Sequence, residues 1–259
     1  MQNTDDFNRW FQHVSEPLRP WNWQRALGAT TTCRDRLIRI PTGLGKTVGV
    51  LAAWSFHRIA RSDQSWPKRL VWCLPMRVLV EQTEQIARNL TSKIPPDSRP
   101  EVHVIMGGND SRRWYAEPEK PAILIGTQDM LLSRVLNRGY AMGRAAWPRA
   151  FGLLNTDSLW VMDEVQLMGV GLATSAQVVG LATSAQVQAF WEQDAKNKET
   201  INKPRTTWWM SATLQPGWLE SLETKSIIPN LTQEILTIDS NDPTRPHAQP
   251  VRHGSDTAD

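Results

Sequence analysis

The stretch RLIRIPTGLGKTVGVLAAW, residues 36–54, constrains the fold of this chain more than any other. A short apolar run meets a glycine-containing turn, Thr42-Gly43-Leu44-Gly45-Lys46-Thr47, and then a segment of helix length. Glycines at 43 and 45 let the backbone wrap with its N–H groups pointing inward. Together with the first turn of the following helix those groups form a concave site for phosphate. Lys46 would reach the outer phosphates of a nucleotide, and Thr47 would offer a hydroxyl to Mg²⁺. Ile40 stands where the strict motif has its first glycine. The plainer alternative is a glycine-rich turn that opens a helix. The motif works only between a strand and a helix, so it predicts an α/β architecture.

The rest of the chain is consistent with that expectation. β-rich runs alternate with helix-length segments: DRLIRI, then KTVGVLAAWSFHRIAR; KRLVWCLP, then RVLVEQTEQIARNL; EVHVIM; PAILIG, then TQDMLLSRVLNR; SLWVMDE, then a helical stretch to about Lys196; and RTTWWMSAT. Alternation of this kind predicts βαβ units, hence a mostly parallel sheet with helices on both faces. Ligands of such sheets bind at the carboxyl ends of the strands. The acid pair of LWVMDEVQ falls at one of these ends, where Asp163 could hold Mg²⁺ while Glu164 polarises an attacking water. Acids that merely open a helix are the alternative.

Composition excludes little. Twenty-nine Lys and Arg against 26 Asp and Glu leave a net charge of +3 without a polybasic run, which permits nucleic acid as a partner but does not require it. No apolar run approaches the roughly 20 residues of a membrane helix, and MQNTDDFNRW is acidic where a secretion signal would be basic and then apolar. The expectation is a cytoplasmic protein with no membrane partner. Cys33 and Cys73 have no metal or redox spacing and read as reduced packing thiols. Residues 1–14 read as an N-terminal extension. After Leu222 the pattern decays into a polar, Pro-containing stretch, so residues 225–259 are expected to form a disordered tail or truncated linker. VGLATSAQV occurs twice in tandem, at 170–178 and 179–187. Nine residues advance a helix by about 900°, which puts equivalent side chains of the two copies on opposite faces. A bulged segment near 170–180 is therefore expected.

Taken in order, PWNWQ, PTGLGKT, LPMRVLVEQ, GTQD, DEVQ and SAT resemble the first RecA-like domain of a superfamily 2 DEAD/DEAH-type helicase, over roughly residues 15–222. Within that superfamily DEVQLMGVGLATSAQ is most similar to the helicase part of the helicase-nuclease effector of type I CRISPR systems. The resemblance implies a RecA-like P-loop NTPase fold and ATP with Mg²⁺ as cofactors. It also implies single-stranded DNA as partner, and with it a CRISPR surveillance complex. Carried over by residue, Gln24 would bond the adenine edge, with Trp21 or Trp23 stacking nearby. Arg77, Thr127 and Gln128 would contact a single-strand backbone, and Ser211 and Thr213 would couple that face to the nucleotide.

The resemblance also implies parts that the chain does not show. A second RecA-like domain, in cis or in trans, supplies arginines worth about 10³–10⁵ in rate in related phosphoryl-transfer enzymes. No segment after Thr213 resembles the late QxxGRxxR motif, and none of His13, His57, His103, His247 and His253 is followed by the Asp of the nuclease motif. The expectation is half a motor, binding ATP and hydrolysing it poorly. Two rivals are a non-enzymatic nucleotide- and strand-binding remnant and the motor portion of a restriction enzyme.

Overall fold

The computed structural model describes residues 2–16, 19–107, 109–110, 112–139, 142–168, 203, 205–213 and 235–237. Helices α1 (Gln2–Ser15) and α2 (Asn22–Gly28) precede β1 (Arg36–Arg39) and α3 (Lys46–Ser55), which runs on into a π-helical turn at Phe56–Ala60. β2 (Arg69–Leu74), α4 (Arg77–Ser92), β3 (Glu101–Met106) and β4 (Asn109–Asp110) follow. Then come β5 (Ala122–Thr127), α5 (Gln128–Val135), α6 (Trp147–Asn155), β6 (Ser158–Met162), β7 (Thr206–Ser211) and β8 (Ile235–Thr237). The strands form one sheet in the order β4-β3-β5-β2-β6-β7-β1-β8, and every neighbouring pair is parallel except β3 with β4.

The sheet is buried on both sides, which is why its strands read as unbroken apolar runs. On one face Ile38, Leu70, Trp72, Ile123, Ile125, Leu159, Val161, Trp208 and Met210 pack with residues of α1 to α4. On the other, Leu37, Val71, Cys73, Leu124, Trp160, Met162 and Trp209 pack with residues of α5 and α6. Alternate residues of each strand thus enter opposite layers, as the period of two demands.

Both ends contribute regular structure. In the segment read as an N-terminal extension, α1 runs from residue 2 to 15, and Phe7, Phe11 and Val14 are buried in the core. Their i, i+4, i+7 spacing makes one apolar stripe; the acidic lead of the segment hid it. Residues 225–259 are not wholly irregular either, because 235–237 form β8, which pairs with β1 from Leu37↔Ile235 to Arg39↔Thr237. Three residues on a sheet edge are too few to show periodicity. The tandem repeat at 170–187, and the helical stretch and bulge expected there, lie outside the described residues.

Candidate functional site

Five consecutive strands, β5, β2, β6, β7 and β1, bring their carboxyl ends to one edge of the sheet, and the residues singled out in the sequence stand along it. Four inter-strand spacings of about 4.8 Å separate β5 from β1, so the row is about 19 Å long. Thr127 ends β5, and Gln128 opens α5 beside it. Arg77 opens α4 just after β2. Asp163 and Glu164 follow β6, Ser211 ends β7, and the glycine loop joins β1 to α3.

The loop has the conformation its glycines permit. Gly43 (φ 81°) and Gly45 (φ 69°) are both left-handed, a region that Cβ-bearing residues enter at a cost. Gly45 caps α3, so the positive end of that helix lies under the loop. Thr42 and Gly43 are exposed, whereas Leu44, Gly45 and Thr47 are partly buried. The Lys46 ammonium is 8% exposed and lies 2.9 Å from Oε1 of Glu164.

Glu164 sits at the middle of a polar chain. Its Oε2 accepts from Nε2 of Gln166 (2.6 Å), and Oε1 of Gln166 accepts from Oγ of Ser211 (2.6 Å). Oγ of Ser211 in turn accepts from the backbone N–H of Thr213. The backbone of Glu164 is left-handed (φ 51°, ψ 46°), an arrangement that persists only where surrounding contacts over-determine it. Asp163 is buried and has both oxygens engaged. Oδ1 accepts from the N–H of Glu164 (2.9 Å) and Oδ2 from the indole of Trp72 (3.2 Å). Burial pushes its carboxyl up to about 6; the charge of Lys46 opposes the shift, and that of Glu164 adds to it.

Gln24 is fully buried, and its amide bridges two elements. Its Oε1 accepts from the N–H of Trp21 (2.9 Å), and its Nε2 donates to the carbonyl of Gly45 (2.9 Å), tying the start of α2 to the loop. Trp23 is buried in the core and Trp21 is partly buried. These bonds use one of the two N–H donors and one of the two acceptor sites of the amide. Arg77 reaches across to the carbonyl of Gly107, beyond the end of β3. Thr127 is buried, and the side-chain oxygen of Gln128 is buried without a hydrogen-bond partner. Thr213 is exposed.

The sequence reading gave no role to Trp72 or to Gln166. Nothing in the local pattern marks Trp72, because its contact with Asp163 arises from the pairing of β2 with β6, where Cys73 faces Met162. Gln166 could have been suspected from its place two residues after Glu164.

The family model for DEAD/DEAH box helicases matches residues 23–222. The chain belongs to this family. No curated protein matches the sequence of this helicase domain. Its structure resembles the yeast DEAD-box splicing factor Prp28, with 19% identity, a TM-score of 0.53 and coverage of 92% of this chain and 50% of the other. It also resembles Mss116p bound to single-stranded RNA and AMP-PNP, with 19% identity, a TM-score of 0.52 and coverage of 92% and 44%. A third likeness is to the DUF1998 helicase MrfA, with 16% identity, a TM-score of 0.58 and coverage of 92% and 32%. At these identities the likeness is one of fold, and the helicase domain spans half or less of each of those chains. Among its described residues no helix is long and apolar enough to cross a membrane.

Proposed function

We propose that this chain is the first of two ATP-driven motor domains of a helicase that acts on single-stranded DNA. The observation that carries the reading is the convergence of Lys46, Asp163 and Glu164 on one glycine loop at a helix N-terminus, with Ser211 joined to Glu164 through Gln166. The donor set fits Mg²⁺–ATP. Two left-handed glycines shape the loop, a lysine and a helix N-terminus supply positive charge, and a hydroxyl and a carboxylate supply hard oxygen ligands. Thr42, Gly43, Leu44, Gly45, Lys46 and Thr47 would cradle the phosphates, and Thr47 and Asp163 would hold the cation. Bound Mg²⁺–ATP supplies the phosphoryl group to be transferred and the charge that neutralises it.

The protein's own groups then divide the work. Lys46 is shared between Glu164 and incoming phosphate, so phosphate that draws the ammonium toward itself leaves the Glu164 carboxylate free to take a proton from water. Gln166 keeps hold of that carboxylate and passes any change in its position to Ser211 and Thr213. Arg77, Thr127 and Gln128 stand over β2 and β5, next to β6, where a strand backbone would be gripped without regard to sequence. The arginines that complete hydrolysis come from the second domain, so residues 23–222 by themselves turn ATP over slowly.

The finer assignment, to a motor that acts with a CRISPR surveillance complex, rests on the segment DEVQLMGVGLATSAQ. Fluorescence anisotropy with single-stranded DNA and RNA oligonucleotides, with and without AMP-PNP and Mg²⁺, tests the function. Nucleotide-dependent DNA binding that weakens at least fivefold in Arg77→Ala is expected. Binding restricted to RNA would overturn the DNA assignment, and DNA binding indifferent to nucleotide would overturn the coupling.

A further inference from the structure

The amino end of the sheet, on the edge opposite the glycine loop, carries a cavity of about 870 Å³. The turn after α3, the last turns of α4, the loop before β3 and the residues before β5 wall it, and they place Arg58, Arg88, Arg99 and Lys120 around it. Two of these cations are already matched by carboxylates: Arg88 by Glu84 at 2.8 Å and Lys120 by Glu117. The other two have no carboxylate partner among the described residues.

Arg58 is 8% exposed, and among the described residues its guanidinium bonds only uncharged oxygens: Oε1 of Gln64 (2.8 Å) and the carbonyl of Asp63 (3.3 Å). Its Nε is buried without a partner. Arg99 donates to the carbonyls of Ser92 (2.9 Å) and Ile94 (2.9 and 3.1 Å), again without a carboxylate. Burying a guanidinium among neutral partners leaves its charge uncompensated. Arg58 is such a group, and the exposed Arg99 stands on the same cavity; the two guanidinium groups suit an oxyanion, whose planar recognition by arginine is strong and directional. His103 adds no charge at neutral pH, since burial lowers its pKa.

We propose that this cavity binds a small phosphorylated molecule, up to the size of a nucleoside phosphate, with Arg58 and Arg99 as its anchors. The volume lies in the range of about 300–1,000 Å³ typical of small-molecule sites. The exposed carboxylates of Asp97 and Glu101 line the same cavity, Glu101 within 3.1 Å of Nε2 of His103, so the charge of the cavity is mixed and its volume sets the size of the ligand. The site is separate from the glycine loop and stands whether or not that loop binds ATP.

Calorimetric titration of the full chain with inorganic pyrophosphate tests it in a Lys46→Ala background, where the glycine loop is disabled. One remaining site is expected, and Arg58→Gln or Arg99→Gln should weaken it at least tenfold. Arg99 is exposed, so its variant decides the matter if Arg58→Gln fails to fold. Loss of all binding in Lys46→Ala alone, or unchanged affinity in the Arg99→Gln protein, would overturn the proposal.

Discussion

Asp163 is held at a cost to stability. Its folded-state pKa, about 6, lies above the ordinary 3.8, so the charged form is the one that folding disfavours. Below about pH 4 both folded and unfolded chains carry a neutral group and the cost vanishes; above about pH 6 it is fully present. At about 1.4 kcal/mol per unit the shift amounts to no more than about 3 kcal/mol. Asp163→Asn turns an amide NH2 toward one of the two N–H donors at any pH but removes the charge. Its effect relative to the natural chain is therefore expected to be more favourable at pH 7.5 than at pH 3.5; an equal change in melting temperature at both would count against it. His57 behaves in the opposite sense. Its Nε2 donates to the carbonyl of Gly28 at 2.9 Å, its ring stacks on Trp66 at 4.1 Å, and its Nδ1 is buried without a partner. Burial lowers its pKa to about 4 from 6.5. A depressed histidine contributes stability above pH 6.5 and loses it as pH falls toward 4, by about 3 kcal/mol. Urea unfolding at pH 7 and pH 4.5 should show a smaller loss in His57→Gln, which keeps a donor for Gly28, than in the natural chain. Equal losses would show that His57 does not govern the acid limb.

At the scale of elements, the N-terminal helices close one face of the sheet through a contact with no spare room. A Cβ built on Gly28 would lie 2.3 Å from Cγ of Phe7, so α1 approaches α2 as closely as it does because residue 28 has no side chain. Gly28→Ala should destabilise the fold by about 1–3 kcal/mol through overpacking, measured by denaturant titration, and Phe7→Ala combined with it should recover part of that loss. Strict additivity of the two would show that they do not touch in solution. The same helices mark where the sequence was hard to read. Six strands were legible because each is a short apolar run bounded by polar turns. α1 was missed because its stripe of Phe7, Phe11 and Val14 hides behind polar and acidic residues. α6 was missed because WPRAFGLLN opens on Trp-Pro, which suggests a turn before it suggests a helix start. The site was legible where it sits at strand ends, from Lys46 to Ser211. Trp72 and Gln166 were not, because their partners are set by strand register and loop closure between segments about 90 and 45 residues apart.

At the scale of the molecule, one sheet edge holds both the glycine loop with Lys46, Asp163 and Glu164 and the row of Arg77, Thr127 and Gln128, with Gln166 and Ser211 beside Glu164. In the proposed reading this edge senses bound nucleotide, and a second RecA-like domain supplies the arginines that make hydrolysis fast. Addition of a second RecA-like domain to residues 23–222 should raise phosphate release by about 10³-fold or more, and Glu164→Gln should abolish the gain while leaving ATP affinity within about threefold. Both results rest on the glycine loop being an ATP site. The most direct test is calorimetric titration of Mg²⁺–ATP into the natural chain and into Lys46→Ala. One site in the natural chain, weakened at least tenfold by the substitution, is the expected result; an absence of binding in the natural chain, or equal affinity in the two proteins, would contradict it.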